Sequence, residues 1–225
     1  MPSWHYPGGY AESVTVPANA LARIPDELSF AEAAPMGCAG VTTYHALRST
    51  RARAGDRVAV LGLGGLGHLG VQFARAMGFE TIAIARGAGK EADARALGAH
   101  HYIDSTAGDV AAAMTALGGA AVVLATAANS QAMADTLGGL SPRGELVIIG
   151  VTGDPLPIAP VQLITPGISV TGHPSGTARD IEETMAFAVL SGVRARIEER
   201  PLVQAAQAYA AMEEGRARYR MVLTM

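Results

Sequence analysis

The sequence predicts an α/β fold built on a doubly wound parallel sheet. Two observations carry this prediction: short apolar runs alternate with segments of helical periodicity, and a glycine-rich turn directly follows the first run. The runs predicted as strands of this sheet are residues 58–61, 81–85, 102–103, 121–125, 144–150 and 169–172. The intervening segments are predicted as helices at residues 66–77, 90–97, 109–117 and 130–140, and as a proline-broken loop at 155–166.

The turn after the first predicted strand has the spacing of a dinucleotide-binding loop. Gly62, Gly64 and Gly67 form a G-x-G-x-x-G pattern. In such a loop the first glycine makes the tight turn, the second lets a pyrophosphate approach the backbone, and the third lets the helix pack on the strand. The helix N-terminus then faces the anion, so Gly65 and Leu66 are candidate contacts as well. The alternative is a glycine-rich strand-to-helix turn that holds no ligand.

The segments outside the predicted sheet look like parts of a second domain. Residues 9–17 alternate in polarity and predict a short strand, with Tyr10, Val14 and Val16 facing a core. Ser29, with a glutamate three residues later, predicts the start of a helix. The remaining predictions are helical segments at residues 35–47, 180–190 and 204–214 and a final strand at 221–223.

The composition excludes several classes of protein. Almost half of the residues, 49%, are hydrophobic, yet no run is long enough to cross a bilayer and the N-terminus has no signal-peptide pattern. The net charge of −3 gives no reason to expect nucleic acid or an anionic membrane as a partner. Cys38 is the single cysteine, so an internal disulfide is impossible and a cytoplasmic location is expected.

Five motifs occur together in the order and spacing of one known family. They are GGYAESVTVP at residues 8–17, MGCAGVTTY at 36–44, GLGGLGHLGVQFA at 62–74, LGAHHYID at 97–104 and GRARYRMVL at 215–223. These motifs resemble the zinc-dependent medium-chain alcohol dehydrogenases, nearest to the yeast-type and cinnamyl-type branch. The match corresponds to the C-terminal part of such an enzyme, with most of its GroES-like catalytic domain missing.

The resemblance implies a domain organisation. In that family a Rossmann domain is inserted into a GroES-like β-barrel domain. Residues 46–178 are therefore expected to form the dinucleotide-binding Rossmann domain. Residues 1–45 and 179–225 are expected to be remnants of the barrel at the two ends of the chain.

The resemblance also implies roles for individual residues. It places Thr42, as a candidate catalytic hydroxyl, together with Thr126, Gly150 and Val151 near the nicotinamide and its ribose, and Arg220 near the pyrophosphate. The substrate implied is a small-molecule alcohol or aldehyde. Family members commonly dimerise through the edge strands of their nucleotide domains, so a homodimer or homo-oligomer is expected.

By this resemblance Cys38 matches the third zinc ligand of the family. The alternative is that Cys38 is a buried structural cysteine. The upstream cysteine, the Gly-His-Glu motif and the four-cysteine loop of the family do not occur in this sequence. A catalytic zinc requires three protein ligands. Zinc is therefore expected for the full-length family and not in this chain.

The end of the second predicted strand bears on the choice of cofactor. NAD enzymes place an acid there to hold the ribose hydroxyls, whereas this sequence has Ala85, Arg86 and Gly87. Arg86 and Lys90 can pair with a 2′-phosphate, and one such pair contributes about 1 to 4 kcal/mol. The prediction is NADP(H), with NAD possible. The alternative is that Arg86 is a solvated charge and that the selectivity is loose.

Three other functions compete with an alcohol dehydrogenase. The chain could bind NADP(H) without turnover, as an inactive remnant. It could bind S-adenosylmethionine, although Arg86 stands where methyltransferases usually have an acid. A zinc-free quinone reductase is disfavoured because such an enzyme would not need Cys38.

Overall fold

The computed structural model describes residues 8–225, and these divide into two compact units. One unit is Thr42–Pro174. The other consists of the described residues through Val41 together with Ser175–Met225. The two units are described separately below.

The unit Thr42–Pro174 contains a six-stranded parallel sheet. The spatial order is 3-2-1-4-5-6, so the chain winds outward from the first strand in one direction and then from the fourth strand in the other. This order confirms the predicted doubly wound fold. The strands are β1 (Arg57–Leu61), β2 (Glu80–Ala85), β3 (His101–Asp104), β4 (Ala120–Ala125), β5 (Leu140–Ile148) and β6 (Ser169–Gly172).

The helices match most of the predicted helical segments. In chain order they are α1 (Phe30–Ala33), α2 (Ala39–Arg48), α3 (Gly67–Ala76), α4 (Glu91–Ala96), α5 (Val110–Ala116), α6 (Ser130–Ala134), α7 (Pro160–Ile164), α8 (Ala178–Ser191) and α9 (Ala205–Glu213). The helix predicted at residues 130–140 is shorter, since α6 is followed by a 3-10 turn at Leu137–Gly139. A short helix, α7, lies in the segment predicted as a proline-broken loop.

The core of this unit lies on the central strands. Every residue of β1 after Arg57 is buried, and β2 is buried after Glu80. Continuous burial of this kind is typical of parallel strands that are covered on both faces. The large, fully buried side chains in and beside these strands include Ile82, Ile84, Leu124, Phe73 and Leu146.

The second unit contains a two-stranded parallel sheet formed by β7 (Ile197–Pro201) and β8 (Arg220–Thr224). Two of its helices, α1 and α8, begin at side-chain caps. The predicted cap at Ser29 is confirmed, because the Ser29 hydroxyl accepts a hydrogen bond from the Glu32 backbone and the Glu32 carboxylate accepts one from the Ser29 backbone. The helix α8 begins at an equivalent box on Thr177.

The strand predicted at residues 9–17 is wrong. None of these residues is in a strand, and the Tyr10 and Val14 side chains are 69% and 48% exposed. Alternating polarity forms a strand only where a neighbouring backbone supplies hydrogen bonds, and no described segment pairs with this one. Of the three apolar side chains predicted to face a core, Tyr10 and Val14 therefore lie at the surface, and Val16 is half-buried.

Within residues 8–225, none of the helices combines the length and the apolar character needed to cross a bilayer.

Candidate functional site

The turn after β1 adopts a conformation that requires glycine at its first position. Gly62 has a φ of +99°, which L side chains rarely adopt, and its N–H donates to the Ile84 carbonyl at 2.8 Å. The helix α3 then begins at Gly67, and Leu66 is its N-cap residue. The turn therefore joins the carboxyl end of β1 to the N-terminus of a ten-residue helix within five residues.

The other two motif glycines differ in what surrounds them. A Cβ atom on Gly67 would lie 1.9 Å from the Gly62 carbonyl oxygen, so only glycine lets the helix approach the turn this closely. Gly64 is exposed, and a Cβ there would meet nothing within 4 Å. The backbone at Gly64 is thus open to another molecule, whereas Gly67 serves internal packing.

A cavity of about 370 Å³ lies beside this turn, within the unit Thr42–Pro174. It is bounded by the carboxyl ends of β1 and β2 and by the segments that follow β3 and β4. This is the edge where open parallel sheets bind ligands, at the point where the winding reverses. Its lining residues are Leu61, Gly62, Leu63, Gly64, Ile84, Ala85, Arg86, Lys90, Ser105, Ala127, Ala128, Asn129 and Ala132.

The charged side chains that line the cavity are both basic. Arg86 is exposed and Lys90 is partly buried. Within residues 8–225, the structure gives neither side chain an ion-pair or hydrogen-bond partner. Their positive charges are therefore available to an anion at this end of the cavity.

Two side chains of β3 contact the turn that carries Arg86. Asp104 Oδ1 accepts hydrogen bonds from the Gly87 N–H at 2.7 Å, the Thr106 N–H at 2.9 Å and the Thr106 hydroxyl at 2.7 Å. These hydrogen bonds, with those from Thr106 largest, lower the pKa of Asp104 below its ordinary value of 3.8. The Tyr102 hydroxyl donates to the Gly87 carbonyl at 2.6 Å, and burial raises the pKa of this phenol.

The ends of β4 and β5 pack tightly beside the glycine turn. The Thr126 hydroxyl donates to the Leu61 carbonyl at 2.9 Å. The Gly150 N–H donates to the Ala125 carbonyl at 2.9 Å, and a Cβ on Gly150 would lie 2.4 Å from the Ala127 carbonyl oxygen. The glycine at position 150 is therefore required by packing against the segment after β4.

The structure brings some of the predicted site residues together at the cavity. Its lining includes the predicted residues Gly62, Gly64, Arg86 and Lys90. The other members of this predicted group adjoin the lining without being part of it: Gly65, Leu66, Gly67, Thr126 and Gly150.

The remaining predicted residues lie elsewhere. Thr42 is buried in α2 and Val151 is 88% exposed after β5, and neither lines the cavity. Cys38 and Arg220 belong to the other compact unit. Cys38 is exposed, so the alternative of a buried structural cysteine is wrong.

Sequence reasoning missed Ser105, Ala127 and Asn129 as lining residues. The Ser105 N–H donates to the Ala85 carbonyl at 3.0 Å, which fixes the start of the segment after β3. The Asn129 side chain caps α6 by accepting from the Ala132 N–H at 2.7 Å. A signal was present, because residues that directly follow parallel strands collect at the same edge of the sheet.

The donor set does not fit a catalytic zinc. Within the part of the chain that the structure describes, no three His, Cys, Asp or Glu residues lie close enough to hold a metal ion. A catalytic zinc takes three protein ligands and keeps a fourth position open.

Comparison with known proteins identifies similar chains. The family model described as "Zinc-binding dehydrogenase" matches residues 65–189, which is more than half of the chain. "Alcohol dehydrogenase notN" of Aspergillus sp. is 42% identical over 97% of this chain and 64% of its own length. An "Alcohol dehydrogenase" of Geobacillus stearothermophilus is 37% identical over 97% of this chain and 65% of its own length. The chain thus spans somewhat less than two thirds of these relatives.

Solved structures give the same picture. Acetophenone reductase from Geotrichum candidum, in complex with NAD, has a TM-score of 0.87 at 25% identity, over 98% of this chain and 63% of its own. A protein titled "CAD from Helicobacter pylori complexed with NADP(H)" has a TM-score of 0.77 at 26% identity, over 90% of this chain and 57% of its own. Their shared fold includes the parallel sheet described above.

The different surroundings of the two motif glycines predict different effects on stability. Gly67→Ala is expected to lower the free energy of unfolding by about 1 to 3 kcal/mol, since the new methyl group overlaps the Gly62 carbonyl oxygen. Gly64→Ala, the matched control, is expected to change it by less than about 0.5 kcal/mol. Urea denaturation followed by circular dichroism measures both values. Equal losses in the two variants would contradict the assignment of Gly67 to packing.

Proposed function

Because the chain belongs to the zinc-binding dehydrogenase family, we propose that its cavity binds NADP(H) and that the chain is the cofactor-binding part of an alcohol dehydrogenase or aldehyde reductase. One observation carries the proposal. The cavity joins a glycine turn at a helix N-terminus to a rim whose charged lining residues are Arg86 and Lys90, both basic.

The glycine turn is suited to the diphosphate of the cofactor. The helix dipole gives the N-terminus of α3 a partial positive charge. The N–H groups of the first turn of α3 donate to the Gly64 and Leu66 carbonyls, so the turn itself is held in place. Gly64 is exposed and leaves open space over the backbone. These features support a diphosphate held by backbone groups around Gly64, Gly65 and Leu66.

The end of β2 is suited to a 2′-phosphate. A carboxylate there would accept hydrogen bonds from the ribose hydroxyls and would repel the phosphate, but the residues at this position are Ala85, Arg86 and Gly87. The guanidinium of Arg86 can donate two parallel hydrogen bonds to a phosphate, and the ammonium of Lys90 adds a second positive charge. One solved relative is in complex with NAD and another with NADP(H), so similarity does not choose between the two cofactors. The proposed preference for NADP(H) is supported by the side chains of Arg86 and Lys90.

The reaction proposed for the complete enzyme is hydride transfer involving a small alcohol or aldehyde. The bound nicotinamide supplies or accepts the hydride. On the strength of the family resemblance, we propose that Thr42, Thr126, Gly150 and Val151 adjoin the nicotinamide and its ribose. Residues 8–225 do not supply a set of ligands for zinc.

Removing the positive charge at the end of β2 tests the cofactor preference. Arg86→Ala is expected to weaken NADPH binding by about tenfold and to leave NADH binding nearly unchanged, since only NADPH has the 2′-phosphate. Isothermal titration calorimetry with each nucleotide measures both affinities. The loss should shrink as salt is added, because Arg86 is exposed.

Arg53→Ala is the matched control, since Arg53 is another exposed arginine of the same unit and lies outside the cavity lining. It should leave both affinities unchanged. Equal losses for NADPH and NADH in Arg86→Ala would contradict a 2′-phosphate site. Failure of the folded wild-type chain to bind NADPH at millimolar concentration would overturn the proposed function as a whole.

A second candidate function for the isolated chain is NADP(H) binding without turnover. It is favoured because residues 8–225 contain an incomplete set of metal ligands. The purified chain is first dialysed against zinc and then freed of excess metal. We expect it to bind NADPH but to produce no NADPH from alcohol and NADP. Elemental analysis and absorbance at the nicotinamide band measure this. One tightly bound zinc per chain with alcohol-dependent NADPH formation would contradict the non-catalytic function.

We also propose a homodimer that forms along β6. This strand lies at the edge of the parallel sheet, and an edge strand presents unpaired backbone groups to another chain. Its last residues, Thr171 and Gly172, are exposed. Analytical ultracentrifugation is expected to give twice the mass of the chain at micromolar concentration. A single species with the mass of one chain would contradict this assembly.

A further inference from the structure

We infer that Asp104 is a positioning residue for the phosphate end of the cavity: it holds the turn that presents Arg86. The inference rests on the proposed function, since it concerns how the same site distinguishes NADP(H) from NAD(H). Asp104 does not line the cavity itself, and its effect is exerted through the backbone at Gly87.

The need for such a residue arises where β2 stops pairing with β3. The last paired residues are Ala85 and Asp104. Gly87, two residues further on, has a φ of +83° and a ψ of 137°, so the backbone has left the sheet. Backbone groups that leave a ladder need new partners, and side chains are the usual source.

Both peptide groups of Gly87 are satisfied by β3. Its N–H donates to Asp104 Oδ1 at 2.7 Å, and its carbonyl accepts from the Tyr102 hydroxyl at 2.6 Å. Asp104 Oδ1 is held in turn by the N–H and the hydroxyl of Thr106, at 2.9 and 2.7 Å. The carboxylate is therefore fixed on one side by its own loop and fixes Gly87 on the other.

The consequence for Arg86 is that its backbone is held at both ends. Ala85 belongs to β2, and Gly87 is bonded to β3. The Arg86 side chain is exposed, so its ordering on binding costs conformational entropy. A fixed backbone limits that cost to the side chain alone, which is the effect of preorganisation on affinity.

The negative charge of Asp104 and the hydrogen bonds that Asp104 accepts have opposite expected effects on NADPH binding. Hydrogen bonds lower the pKa of Asp104, so this carboxyl group is ionised at neutral pH. A negative charge beside a phosphate site weakens binding of the phosphate. If Asp104 acted only through its charge, removing it would strengthen NADPH binding. If Asp104 positions the turn, removing its oxygen atoms weakens that binding.

The two effects can be separated with two substitutions at one position. Asp104→Asn removes the charge but keeps an oxygen that accepts from Gly87, so NADPH affinity is expected to stay within about twofold of wild type or to rise. Asp104→Ala removes the acceptor as well. It is expected to weaken NADPH binding by about tenfold, the equivalent of one hydrogen bond to a charged group, and to weaken NADH binding much less.

Asp109→Ala is the matched control. The Asp109 Oδ1 accepts from the Ala112 N–H at 3.0 Å and caps α5, in the same unit and outside the cavity lining. This variant should lower the melting temperature and leave the ratio of NADPH to NADH affinity unchanged. Tyr102→Phe, which removes a single hydroxyl, should lower that ratio by about threefold and serves if Asp104→Ala does not fold.

Each outcome has a defined meaning. An increase in NADPH affinity in both Asp104 variants would show that the residue acts through its charge, which overturns the inference. Equal losses for the two nucleotides in Asp104→Ala would show a general structural role and overturn it as well. If the wild-type chain binds NADPH but neither Asp104→Ala nor Tyr102→Phe changes the ratio, the inference fails while the proposed function stands. A folded wild-type chain that does not prefer NADPH contradicts both.

Discussion

The contact on which the rest of the structure depends is the one between the first residue of α3 and the turn before it. At Gly67 the helix approaches the Gly62 carbonyl so closely that a single methyl group has no room. The next turn of the helix is also close to the sheet, since a Cβ on Gly70 would lie 3.1 Å from Leu124 and 3.3 Å from Val60. This packing fixes the helix N-terminus, with the partial positive charge of its dipole, at the carboxyl edge of β1 beside the cavity.

The parallel register then places the other walls. Leu61 at the end of β1 pairs with Ile84 of β2 and with Ala125 of β4, and Ala85 of β2 pairs with Asp104 of β3. All four strands therefore end at nearly the same level, and the segments that follow them meet. The cavity combines backbone groups from one of these segments with positive charges from another, which is the combination that a phosphorylated dinucleotide requires.

The second compact unit presents a different situation, because local sequence patterns there are not matched by neighbouring strands. Its described residues contain a two-stranded sheet, and residues 8–17 remain outside any sheet with Tyr10 and Val14 exposed. Cys38 lies in this unit without the additional ligands that a zinc ion requires among residues 8–225. The described residues thus supply the groups proposed to bind the cofactor but no complete set of zinc ligands.

The sequence by itself determined the α/β alternation, the position of the glycine turn and the basic character of the turn after β2. These features depend on short-range patterns: the period of apolar residues, the φ that only glycine adopts, and the residue types in one loop. Only the tertiary structure decided that Ser105 and Asn129 line the cavity and that Asp104 accepts a hydrogen bond from Gly87. It also showed that residues 9–17 do not form the predicted strand. The physical reason is that strand pairing joins segments far apart in the chain, and no local pattern specifies which backbone will be the neighbour.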